Sequence, residues 1–369
     1  MGQKVSAKWG GLVAVMGLAL AISTGCQGGP TSRGNDPPRP AGSGGAGGPR
    51  INRPPAPVDA VGVSELRERA LKFLGETSLS TDAEVRANTI EALLPVPARL
   101  EAVARRGLSD ENLGVRAVAA AAAGKTKLPR LAEHVRPLLR DQSAQVRVNA
   151  IYALARLGQP VDLGPLGAAM NDPSPFVRAQ AGWVLGELGN KSALPLIRDT
   201  ARDRMSLADV AQIRSMRLQL AEAMIKLGDE TAIDEIRAAL FPSRPEELES
   251  TALAAQILGE VGDKQSAGQL IQLTAFKDPA GNRFPAEIRM VAAASLARLG
   301  QPYGSFIADE FYNHSSAPLR AQAALTYGDI RRRENLGLLD AMMKDPQPLV
   351  GVAAAAAILR TTDGYGKVK

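Results

Sequence analysis

The chain of 369 residues holds one cysteine and two histidines, and each shortage removes a class of chemistry. A single thiol, Cys26, cannot close an internal disulfide. His134 and His314 are far apart along the chain and no Cys/His cluster stands near either, so no metal site is expected. No phosphate-cradling glycine loop precedes a helix; Gly42 to Gly48 belong to a flexible stretch. The apolar run Gly10 to Ile22 has 13 residues, too few for a transmembrane helix of about 20. A basic stripe is missing as well. The net charge is +6, but +4 of it falls in residues 1–62, leaving +2 for the rest. Arg331-Arg332-Arg333 is the one dense basic run beyond residue 62 and reads as a solvated turn, so nucleic acid is not expected as a partner. No local motif pairs titratable groups. The expectation is therefore no catalytic residue, no cofactor and no enzyme activity.

What the chain does contain is a repeat. Asp172-Pro173-Ser174-Pro175 is turn chemistry. Val177, Ala181, Val184, Leu185 and Leu188 then fall on one helical face, and Gly189 ends the helix. Ser192 to Arg202 reads as a second, shorter helix. Copies of this unit align on Arg86, Arg116, Arg147, Arg178, Arg217, Arg289 and Arg320, mostly about 31 residues apart, with weaker copies at Thr251 and Gly351. Three residues past the anchor stands a small residue, as at Ala119, Ala150, Ala181, Ala292 and Ala323. Seven past, it is usually large and apolar, and six before, aspartate recurs at Asp110, Asp141, Asp172 and Asp345. One helix pair cannot bury its own apolar face, so the repeat implies an all-α solenoid of about nine pairs. From Ser64 onward the array would be one elongated body about 80 Å long.

Asp172 to Arg178, Val177-Arg178 with Ala181, and Leu185-Gly186-Glu187-Leu188-Gly189 resemble HEAT repeats of the short, phycobilisome-lyase-like type, over roughly residues 64 to 369. The resemblance implies that aspartate and arginine of adjacent units pair along the stack, and that the helix carrying the arginine lines the concave side. It is carried by bilin lyases, a few DNA-repair enzymes and many binding scaffolds, so it fixes no function.

Lys4 and Lys8 ahead of the apolar run fit a secretory signal over residues 1–25. Thr24-Gly25-Cys26 resembles the lipobox of bacterial lipoproteins, in which the cysteine becomes the lipidated N-terminus. Ser23 departs from the usual leucine, and cleavage after Ala19-Leu20-Ala21 is the alternative. Gln27 after the cysteine implies, by the same resemblance, outer-membrane sorting with the repeats in the periplasm. Residues 26–62 hold nine glycines and eight prolines and read as a disordered linker of roughly 35 Å; the repeat domain follows at 63–369.

The concave positions two, five and nine past each anchor gather amides, a tyrosine and a tryptophan in consecutive repeats. Asn149, Tyr152, Arg156, Gln180, Trp183, Glu187 and Gln219 are the expected partner-binding residues, with Tyr152 and Trp183 exposed about 10 Å apart. The competing reading packs Trp183 into the next repeat over Gly182 and Gly186. The insertions at 203–209 and 277–285 lengthen loops on one side of the array, either as a functional edge or as neutral loop growth. The expected function is an envelope-anchored scaffold for a protein or peptide partner. The alternatives are a bilin-lyase-like or sugar-acting enzyme, and a structural spacer.

Overall fold

The structure, a computed structural model, describes residues 60–363 apart from 206–207, 278–280 and 302. The signal segment, Cys26 and nearly all of the linker lie outside the described residues. Among the described residues there are eighteen α-helices and one isolated bridge, Lys277 with Arg283, but no strand. The outer helices are α1 (Ala60–Thr77), α3 (Pro97–Gly107), α5 (Ala132–Val135), α7 (Gly164–Ala169), α9 (Leu194–Arg202), α11 (Ile233–Ala238), α13 (Ala267–Ala275), α15 (Ser305–Phe311) and α17 (Leu336–Met342). The inner helices are α2 (Ala83–Ala92), α4 (Leu113–Thr126), α6 (Ala144–Arg156), α8 (Pro175–Glu187), α10 (Val210–Lys226), α12 (Leu248–Val261), α14 (Ala286–Arg298), α16 (Ala317–Ile330) and α18 (Pro348–Thr361). The first helix begins at Ala60, four residues ahead of the expected Ser64.

Short polar side chains start several inner helices. Asp82, Asn112 and Asp209 each accept hydrogen bonds from backbone N–H groups of the first turn. Proline in the first turn of α8, α16 and α18 needs no such acceptor for its own nitrogen. Each inner helix packs on its outer partner and on the inner helices before and after it. Glycine sets how close they come. Gly124, Gly186, Gly259 and Gly328 all stand eight residues past their anchors, against the next inner helix. A Cβ on Gly186 would lie 3.0 Å from Ala223 Cα, and one on Gly328 would lie 2.8 Å from Ala357 Cα.

The array is not an open rod. The last inner helix, α18, packs against α1 and α2 as well as α16, so the nine pairs close into a ring. At this seam Arg67 donates to the Leu359 carbonyl (3.3 Å) and to Thr362 Oγ1 (3.0 Å). Arg69 pairs with Asp340 of α17 at 2.9 Å. A Cβ on Gly351 would lie 2.6 Å from Phe73 Cζ, so α1 covers α18 directly. The expected length of about 80 Å becomes a circumference. Every outer-to-inner connection lies on one face of the ring, the ingoing face, and every inner-to-outer connection lies on the other, the outgoing face.

Close inner packing has a measurable cost when disturbed. A Cβ on Gly259 would fall 2.8 Å from the backbone Cα of Ser295, so Gly259→Ala should destabilise by about 1–3 kcal/mol through overpacking. Nothing lies within 4 Å of a Cβ on helical Gly75, so Gly75→Ala should stabilise by about 0.5–1 kcal/mol. Urea midpoints that move the same way for both variants would contradict this packing.

Candidate functional site inside the ring

The recurrent arginines act on the ingoing face. Arg86, Arg116 and Arg320 each donate to the carbonyls five and six residues before them, which ties the arginine to its own turn. Each also grips an aspartate of the next turn with two hydrogen bonds, Arg86 to Asp110, Arg116 to Asp141 and Arg320 to Asp345. Arg178 reaches Asp203 at 2.6 Å, and Arg289 takes Glu310 instead of an aspartate. Among the described residues Arg147 keeps only the contacts to its own turn, the Asp141 and Gln142 carbonyls. The Arg320 hydrogen bond holds the Asp345 carboxyl below its ordinary range, and Arg237 does the same for Asp263.

A second set of charges runs around the interior toward the outgoing face, nine residues past the anchors. Lys226 bridges Glu187 and Glu222 at 2.6 Å each. Arg298 bridges Glu260 (3.3 Å) and Asp329 (3.0 Å), and Asp329 also holds Arg360 (3.1 Å). Burial works against the charge on Lys226, but Glu222 and Glu187 outweigh it and keep its pKa above normal, so Lys226 is a fixed cation rather than a base. At the seam Glu91 is buried, and desolvation pushes its pKa to about 8 despite nearby Lys125 and Arg360.

The residues expected to bind a partner do come together here, but not as an open surface. Asn149 and Tyr152 are 0% exposed, Gln180 is 2% and Trp183 is 3%. Gln180 Nε2 donates to Asn149 Oδ1 at 2.8 Å between α8 and α6. Tyr152 lies in the notch left by Gly124, where a Cβ would sit 2.7 Å from its ring. Trp183 packs on Tyr152 with ring centroids 4.9 Å apart, and Lys125 Nζ stands 5.4 Å from the Trp183 ring. The exposed pair about 10 Å apart is thus not found. The large rings fill the gap between α6 and α8, so burial uses them after all. The alternative direction fails too, since Trp183 packs back on the preceding repeat. Gly182 and Gly186 instead receive Leu220 and Ala223 of α10. Arg156, Glu187 and Gln219 are half-buried.

His134 falls in α5 and His314 in the turn before α16. Among the described residues no group of three or more His, Cys, Asp or Glu side chains is placed to hold a metal ion.

The fold is thus an all-α solenoid of paired helices, closed on itself. Residues 132–213, from α5 to the start of α10, match the family model of HEAT repeats. Deoxyhypusine hydroxylase of Bos taurus is 23% identical over 220 residues, covering 58% of this chain and 70% of that protein. The structure of human deoxyhypusine hydroxylase in complex with glycerol is similar at 17% identity, over 81% of this chain and 98% of that one, with a TM-score of 0.33. The CpcE–CpcF complex of phycocyanin lyase from Nostoc is similar at 17% identity, over 79% and 98%, with a TM-score of 0.39. The sequence match corrects one expectation, that the chain is no enzyme, because the relative it matches, deoxyhypusine hydroxylase, is an enzyme. A missing local motif is a poor argument in a ring, where groups from different repeats meet.

Two pH limbs of opposite sign follow. Asp263 and Asp345 have folded pKa values below the unfolded value of about 3.9, so their stabilisation is complete above that pH and is lost as pH falls through the folded values. Glu91 is raised, so its contribution is complete below about pH 4.3 and is lost as pH rises toward about 8. Glu91→Gln should remove the alkaline loss and keep the acid one. Unfolding midpoints from pH 3 to 9 in which Glu91→Gln leaves the alkaline limb unchanged would contradict the assignment.

Proposed function

We propose that the chain is a HEAT-type scaffold, anchored in the cell envelope through lipid on Cys26 and facing the periplasm, that holds a protein partner on the ingoing face of its ring. One observation carries the reading. Seven large apolar residues of the described chain are well exposed, and five of them, Leu79, Leu113, Val210, Phe241 and Phe276, stand on this face. Val210, Phe241 and Phe276 belong to three consecutive repeats, beside the insertions at 203–209 and 277–285. Phe276 also stacks on Phe284 with centroids 5.7 Å apart. Exposed large apolar side chains gathered mostly on one face mark a contact surface. The first described residue, Ala60, starts α1 on the outgoing face, opposite this surface. The HEAT-repeat match supports a scaffold; the anchor rests on the apolar run ending in Gly25-Cys26.

Catalysis is a second reading, and Glu91 favours it. A buried carboxyl with a pKa near neutrality and an unpartnered Oε2 suits a general acid or base.

Phe241 is 60% exposed, so Phe241→Ser should leave the unfolding midpoint unchanged, whereas Phe276→Ser, which loses the Phe284 contact, should lower stability by about 0.5–1.5 kcal/mol. Each should weaken partner capture by about 2 kcal/mol, roughly thirtyfold. Site-specific crosslinking in the envelope, with Cys26→Ala as a fractionation control, checks both halves. Capture indifferent to both phenylalanines would refute the face assignment, and unchanged membrane association of Cys26→Ala would refute the anchor.

A further inference from the structure

Two of the well-exposed large apolar residues stand apart from the ingoing face, and they stand together. Tyr303 ends the turn before α15 and Phe306 lies in the first turn of that helix, both on the outgoing face. They are 47% and 42% exposed and meet edge to face, with ring centroids 6.0 Å apart. Their backbone is pinned. Gly304 takes φ +114°, and a Cβ there would lie 2.9 Å from Ala293 Cβ on α14. The next outgoing turn carries Arg331, Arg332 and Arg333, all exposed, against one acid, Glu334. Rings and arginines stand at one level. The Tyr327 hydroxyl donates to Asp309 Oδ1 at 2.6 Å, which sets α16 in register with α15. Arg331 follows Tyr327 by four residues and Phe306 precedes Asp309 by three, so each is one turn further toward the outgoing end, about 5–6 Å.

Where the chain enters the ring decides what this patch meets. The arginine turn leads into α17, and α17 pairs with α1 through Asp340 and Arg69. α1 starts at Ala60 on the same face, beside the patch. Cys26 stands 34 residues before Ala60, a reach of about 30 Å as a coil. Lipid on Cys26 would therefore bring this sector of the ring to the bilayer. The outgoing face is not basic throughout: the turn before α11 carries Asp229 and Glu230 and no exposed large apolar side chain. We propose that Tyr303, Phe306 and Arg331 to Arg333 form a docking surface for an anionic phospholipid membrane. The two rings sit at headgroup level, where amphipathic aromatics are favoured, and the guanidinium groups hold lipid phosphates. The ingoing face then points away from the membrane. The proposal rests on the anchor reading and deepens it by giving the ring an orientation.

A polarity-sensitive NBD dye tests it on the full chain with Cys26→Ser, attached at Tyr303→Cys or, as control, at Phe241→Cys on the ingoing face. The probes are vesicles of phosphatidylcholine alone and of phosphatidylcholine with phosphatidylglycerol. The dye at 303 should brighten and shift to the blue on the anionic vesicles and stay as in water on the neutral ones, and the dye at 241 should stay as in water on both. Arg331→Asn with Arg332→Glu should weaken the response at 303 about tenfold or more. Asparagine is chosen because residue 331 has φ +55°, which asparagine tolerates. Salt at about 0.5 M should weaken it too, without any substitution. The proposal is overturned if the dye at 303 stays in water on anionic vesicles, responds equally to neutral ones, or is indifferent to both the arginine changes and salt. A response to a single-stranded oligonucleotide in place of vesicles would give the patch to nucleic acid and overturn it as well. Every labelled chain lacks Cys26, whose anchoring is read separately by fractionation, so the patch and the anchor fail independently.

Discussion

The last helix needs a cover, and the rest of the architecture depends on how it gets one. All residues from Val350 to Leu359 of α18 are buried, and Arg360 is the only charged side chain in that helix. An open solenoid solves its end problem with a capping repeat whose outer side is polar. No polar side exists on α18, so an open array would leave apolar surface in water. Closure onto α1 and α2 removes both ends at once, with Phe73 over Gly351 and Arg67 on the last turn. Closure also requires each step around the ring to be tight, and the glycines at Gly124, Gly186, Gly259 and Gly328 permit the approach.

A ring turns a concave face into an interior. The charges that would line an open groove instead face one another, and they settle into bridges such as Glu187–Lys226–Glu222 and Glu260–Arg298–Asp329–Arg360. The ionic ladder of Arg116 with Asp141 and its equivalents fastens successive turns on the ingoing face. Most of the large apolar side chains the core does not use stand on that same face. Interior and face therefore differ in chemistry: one is polar and enclosed, the other apolar and open.

The repeat, the helix pairs and the Arg–Asp spacing were legible in the sequence because each depends on residues within one unit or its neighbour. The burial of Trp183 was not. Its position five past Arg178 points inward in an isolated repeat, and only the Gly124 notch behind Tyr152 and the closeness of α6 to α8 decide that it is covered. Closure was not read either, since curvature is a small rotation summed over nine pairs. Two signals for it were present: glycine recurring eight past the anchor, and a terminal helix with no polar side.

The closed ring is best tested as a distance. Spin labels at Arg69→Cys and Asp340→Cys, in a chain whose only native thiol is removed by Cys26→Ser, sit at the two sides of the seam, where the native side chains are 2.9 Å apart. Electron–electron dipolar spectroscopy should report one short separation of about 20 Å or less. A separation on the order of 80 Å, the length of nine helix pairs laid out in a row, would show an open array and contradict the account.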